Sequence, residues 1–180
     1  MFRITRFWAL TVLLSTLFAQ TPRIDSPLQE ALRKTGLRIS VSPERPRSSR
    51  ELRLGLQSAA GAERSPVARV IQRIERNDPP PRQRSPELSS DHLVIAVLDA
   101  QETVRHLQIV IDPRLVRGEF PDAAGNLQKT VIYRSDVELS VSIPGGIEAA
   151  EVRILSPSWE SGELKLAPLA SLKMAVSNRQ

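Results

Sequence analysis

The 180 residues contain no cysteine, which excludes disulfide frameworks, thiolate metal centres, cysteine nucleophiles and lipid-modified cysteine anchors. Histidine is scarce: His92 and His106 are the only two, too far apart to form the short-spaced pair of a metal site. Aromatic residues make up 4% of the chain. Beyond Gln20 they are reduced to Phe120, Tyr133 and Trp159. None lies between Gln20 and Asp91, so stacking on nucleic-acid bases has no platform in the basic half, which argues against nucleic acid as a partner. Long apolar runs are missing too. After the N-terminus the longest is Leu93–Leu98, strand-sized and far short of the roughly 20 residues that cross a bilayer as a helix.

These shortages bear on catalysis. A serine hydrolase needs a nucleophile, a base and an orienting acid, and histidine is the usual base. His92 follows Asp91 at a strand entrance, His106 lies on the polar side of a strand, and no G-x-S-x-G motif accompanies either. Both read as ordinary surface or half-buried histidines. A glycosidase needs two carboxylates facing one cleft, whereas Asp99, Glu102, Asp112, Glu138, Glu151 and Glu160 are scattered over turns and exposed strand faces. Asp122-Ala123-Ala124-Gly125-Asn126 lacks the oxygen density of a calcium loop and reads as a hairpin turn. The expectation is a protein that is not an enzyme, with no metal and no cofactor.

What is present begins with Arg3, Arg6 and the apolar run Phe7–Phe18, ending at Ala19. A basic start, an apolar stretch of about a dozen residues and a small residue form the order of a cleavable export signal. Residues 1–19 are therefore expected to direct the chain to the periplasm or the exterior. The formal charge of +5 then divides unevenly: residues 20–90 hold 14 basic against 8 acidic side chains, residues 91–180 hold 9 against 12, and nine of the 14 prolines precede Asp91. Charge and composition change together, which supports a boundary. The expected division is a basic N-terminal region over 20–77, a Pro/Arg/Ser-rich linker over 78–90, a β domain over 91–172 and a tail over 173–180.

In the basic region, Asp25–Gly36 predicts a helix, with Pro27 at its first turn, Arg33 and Lys34 in its last, and Gly36 beyond it. Leu37–Val41 and Leu52–Leu56 alternate like half-buried strands and predict a hairpin. Val67, Val70, Ile71 and Ile74 recur at i, i+3, i+4, i+7 and predict a second helix, with Arg69, Arg73 and Arg76 on its polar side. Further on, Leu93–Leu98 predicts a strand covered on both faces. Leu107, Ile109 and Ile111 point inward from a strand closed by Asp112-Pro113, and Thr130–Tyr133 is a short strand. Val137, Leu139, Val141 and Ile143 alternate cleanly, followed by strands at Val152–Leu155 and Leu164–Leu166.

The predicted fold class is mainly β. A small antiparallel β-sandwich or barrel fills the C-terminal half, preceded by a short α/β basic region with two short helices. From Asp91 to Leu166 the strand pattern is similar to the immunoglobulin-like accessory modules of exported bacterial proteins, a likeness of fold pattern without the Cys…Trp…Cys signature. Fold likeness alone carries no function; with no catalytic constellation in the sequence, the expectation is a non-catalytic binding or scaffold protein that engages another protein through a sheet edge or end loops. Arg114–Pro121 mixes charged and apolar residues between strands, either as a recognition loop or as a crossover that plugs one end of the barrel with Leu115, Val116 and Phe120. Ser156–Gly162 places Trp159 in a loop, either exposed to a partner or folded back over the end of the sandwich. Arg114, Arg117, Phe120 and Trp159 are therefore the candidate partner contacts. Arg69, Arg73 and Arg76 are candidate anion contacts, and with them the chain becomes an electrostatic adaptor for an anionic envelope polymer or membrane surface. A third reading is the accessory module of a secreted hydrolase system. The oligomeric state has no sequence signal.

Overall fold

The computed structural model describes residues 26–41, 46–58, 66–81 and 87–174. The export signal read in residues 1–19 lies outside them. The described chain is mainly β, with one helix and ten strands.

Helix α1 (Ser26–Lys34) forms as its sequence predicts. Leu28, Ala31 and Leu32 make one buried face, and Gly36 takes φ +81°, a conformation that costs glycine little, to end the helix. A two-residue strand, β1 (Arg38–Ile39), follows, then β2 (Ser49–Gln57) and β3 (Val67–Arg76). The rest are β4 (His92–Leu98), β5 (Thr103–Ile111), β6 (Leu115–Pro121), β7 (Leu127–Tyr133), β8 (Asp136–Pro144), β9 (Glu151–Glu160) and β10 (Glu163–Lys173). They make a five-stranded sheet in the order β1-β5-β4-β9-β10, a three-stranded sheet β3-β2-β8, and a separate two-stranded ribbon β6-β7.

β4 explains the layering. All of Leu93–Leu98 is buried. Leu93, Ile95 and Val97 share a core with Leu52, Leu54 and Leu56 of β2 and with Val137, Leu139, Val141 and Ile143 of β8. Val94, Ala96 and Leu98 turn the other way, onto Leu28, Ala31 and Leu32 of α1. One strand thus supplies both cores, which is why its sequence runs apolar without alternation. Each leucine, isoleucine or valine among them contributes roughly 1.5–3 kcal/mol of burial. β2, from the basic half, pairs with β8 over nine residues, so the packing crosses the boundary expected at 78–90.

Several expectations are corrected. Residues 67–76 form strand β3, not a second helix. Val67, Val70, Ile71 and Ile74 are β-branched, which favours extended chain. The ladder with β2 skips Ile71, where Arg53 faces Gln72 and Leu54 faces Val70. This bulge shifts the alternation by one residue and imitates helical spacing. Leu37–Val41 and Leu52–Leu56 do not form a hairpin: β1 pairs in parallel with β5, while β2 lies between β3 and β8. Ile111, expected inward, is 72% exposed. Gly55, an unpromising strand residue, leaves room for Ile71 and Arg69, since a Cβ there would stand 3.2 Å from Ile71 Cδ1. Pro157 lies on β9 beyond the last pair with β4, Val94 with Leu155, and Pro168 sits at an irregularity of edge strand β10. Neither proline removes a ladder donor that the sheet uses.

Candidate functional site

The segment expected as a crossover or recognition loop, Arg114–Pro121, is instead a strand. β6 pairs with β7 over seven residues, from Leu115 opposite Tyr133 to Pro121 opposite Leu127. The turn between them is set by Asp122. Its Oδ1 accepts the main-chain N–H groups of Ala124 and Asn126, both at 2.9 Å. Those amides, Asn126 first, hold the carboxyl below the usual carboxylate range. Gly125 supplies the positive φ of +87° that the turn requires. The turn reading of Asp122–Asn126 is thus the one the structure shows.

The root of the ribbon is fastened by charge. Asp112, buried, accepts Arg114 Nε at 3.0 Å and Nη2 at 2.7 Å, and its Oδ1 also takes the Arg114 main-chain N–H at 2.9 Å. The Arg114 guanidinium lies 5.9 Å from the centre of the Tyr133 ring, within cation–π range. Arg117 reaches Asp91 at 2.6 Å, tying β6 to the entrance of β4.

Beyond this root the ribbon stands apart. Among the described residues, β6 and β7 form a ladder with each other and with neither sheet. Every residue of β7 is exposed, including Leu127 at 67%, Val131 at 50% and Tyr133 at 62%. Directly opposed residues of an antiparallel pair share a face. One face of the ribbon therefore carries Leu115, Tyr133, Arg117, Val131, Glu119, Lys129 and Leu127, and the other carries Val116, Ile132, Thr130 and Gln128. A two-stranded ribbon without a covering layer is marginal in water, and this one leaves Leu127, Val131, Ile132 and Tyr133 exposed.

The residues singled out in the sequence have different fates. Arg114 is consumed in holding the ribbon's root. Arg117 is exposed beside it. Phe120 lies on β6 opposite Gln128. Trp159 is on strand β9 opposite Leu164, not in a loop, and is 49% exposed. It lies beyond the His92 end of β4, the end of the sheet from which the ribbon departs. The arginines of β3 do not form one cluster. Arg69 opposes Gly55 and Arg73 opposes Leu52, which face opposite sides of β2, and Arg76 is paired with Glu51. That pairing, through the Arg76 hydrogen bond first, depresses the Glu51 carboxyl. Leu127, Val131 and Ile132 were missed because a strand's local pattern does not reveal whether anything covers it.

Both histidines are engaged within the fold. His92 Nδ1 accepts the Ser89 main-chain N–H at 3.2 Å. The His106 ring hydrogen-bonds to the main chain of Ser142, and burial pushes its pKa down to about 4. Comparison with models of protein families, with curated proteins and with solved structures finds no match to this chain.

Proposed function

We propose that this chain is a non-catalytic, exported binding module of sandwich type, and that the β6/β7 ribbon is the surface by which it engages another protein. The observation that carries the reading is the exposure of Leu127, Val131, Ile132 and Tyr133 on a ribbon that neither sheet covers. Hydrophobic and aromatic side chains on an open strand edge suit strand addition, in which main-chain hydrogen bonds give affinity and alternate side chains give specificity. Structural use of both histidines supports the non-catalytic part. Dispersal of Arg69, Arg73 and Arg76 leaves the anionic-surface reading without a focused patch. The export signal read in residues 1–19 supports a location outside the cytoplasm, and the mature chain recovered from that compartment is expected to begin at Gln20.

A photo-cross-linking residue at Leu127, introduced into the full chain in its own host, tests the binding role. One discrete polypeptide adduct is expected there and none from Gln101, in the turn at the opposite end of β4. No adduct at Leu127, or equal adducts at both positions, overturns the proposal.

A further inference from the structure

We infer that the occupant of the ribbon's open edge is a second copy of this chain, joined antiparallel along β7 about Thr130. The inference rests on the reading of the ribbon as a docking surface and names its partner.

Exposed strand edges template further pairing, and proteins usually block them. Here β1 is two residues long, β3 carries a bulge and three arginines, and β10 carries Pro168 and a register irregularity. The edge of β8 is bridged by Gln108, whose Nε2 donates to Ser140 O and whose Oε1 accepts Ser142 N. β6, the other edge of the ribbon, carries Gly118, Pro121 and two charges, Arg117 and Glu119, whereas β7 has none of these devices: Leu127–Tyr133 holds no proline and no glycine, a ladder without irregularity, and one charge, Lys129.

Arg134 N donates to Arg114 O, and Asp122 N donates to Asn126 O. Hydrogen-bonded pairs alternate along an antiparallel ladder, so Gln128, Thr130 and Ile132 direct their main-chain groups at β6. Leu127, Lys129, Val131 and Tyr133 direct theirs outward. A twofold axis at Thr130 pairs all four outward residues, Leu127 with Tyr133 of the second copy and Lys129 with its Val131, for about eight main-chain hydrogen bonds. Such a contact is isologous. It sets apolar against apolar at both ends of the strand. Each Lys129 meets a valine across the axis and keeps Glu119 of its own β6 on the other side. Shifting the axis to Lys129 would oppose two lysines, which antiparallel pairing disfavours.

Because the chain has no cysteine, single cysteines report this register directly. Thr130→Cys should form a disulfide-linked dimer under mild oxidation, since the axis brings the two α-carbons to about 4.5 Å. Gln128→Cys alone and Ile132→Cys alone should not, and the two mixed should cross-link to each other. Sedimentation equilibrium supplies the second readout. Val131→Lys sets two like-charge pairs across the axis and should weaken the dimer about tenfold more than Val131→Glu, which faces Lys129 of the second copy. A monomer with no register preference among the cysteines overturns the inference. So does equal weakening by both Val131 variants. If the cross-linker at Leu127 then captures a different polypeptide, the ribbon remains a docking surface and only the second copy falls. If it captures nothing, both readings fall.

Discussion

The Gln108 side chain accepts the main-chain N–H of Ser142 at 2.9 Å and donates to the Ser140 carbonyl at 3.3 Å, so one amide occupies the place a neighbouring strand would take on β8. Two residues away on the same face of β5, the His106 ring bonds to the Ser142 main chain. Together they join the five-stranded sheet to the three-stranded one along a side where the two share no ladder.

Gln108→Leu should therefore open this seam without disturbing either sheet. It removes two hydrogen bonds and leaves the Ser142 N–H without its partner, a loss of about 1–2 kcal/mol. Urea denaturation measures the loss. Native-state hydrogen exchange should quicken at Ser142 while the amides of β4 keep their protection, and unchanged exchange at Ser142 would show that the bridge does not hold the edge.

His106 makes the same seam sensitive to pH. Its folded pKa is pushed to about 4 by burial, against 6.5 for an unperturbed imidazole. The unfolded chain binds the proton more readily, so stability is fully present above about pH 6.5. It falls as pH drops from there towards 4, by on the order of 2 kcal/mol. Carboxylates titrate in the lower part of this window as well. The diagnostic quantity is thus the difference between the stability curves of the native chain and His106→Gln, which keeps a donor for Ser142 and cannot charge. That difference should change between pH 6.5 and 4 and be flat above it.

Much of this fold was legible because its strands are half-buried or doubly buried. Val137–Ile143 alternates in sequence and in burial alike, and Leu93–Leu98 is apolar throughout because it faces two cores. What escaped was set by partners distant in sequence. β3 owes its shape to a bulge opposite β2, and β1 reads as half a hairpin until β5 claims it in parallel. At the site, Arg114 and Arg117 were noticed as charges among apolar residues, and both prove to act at the ribbon's root. Leu127, Val131 and Ile132 gave no such signal. Their exposure is a fact of topology, and period-2 apolar content is the same whether or not a second layer lies above it.

The Asp112–Arg114 pair should govern the ribbon's orientation. With the two side chains 5% and 12% exposed, Asp112→Ala leaves a mostly buried guanidinium without its counter-charge, for a loss of about 3 kcal/mol. Asp112→Asn keeps an oxygen for the Arg114 main-chain N–H and should lose less. Thermal denaturation ranks the variants. Exchange at the amides of Val116 and Thr130 should rise more in Asp112→Ala than exchange in β4 or β8, and a uniform rise would mean that the pair acts on the whole fold instead.

Gly145 and Gly146 stand side by side after β8 and separate two reasons for glycine. Gly145 donates its N–H to Ser48 O at 2.7 Å, and a Cβ there would lie 2.9 Å from that same carbonyl oxygen and 2.1 Å from Ser48 Oγ. The hydroxyl can rotate away, but the carbonyl belongs to the main chain leading into β2. Gly145→Ala must therefore displace the start of β2 from the end of β8, a loss of about 2–3 kcal/mol. Gly146 has open space around it and φ +84°, so alanine meets only the left-handed backbone penalty of about 1 kcal/mol. Replacement by asparagine, which tolerates that conformation, should recover most of the loss at Gly146 and none at Gly145. Equal recovery at both positions in urea titrations would remove the close approach to Ser48 as the cause.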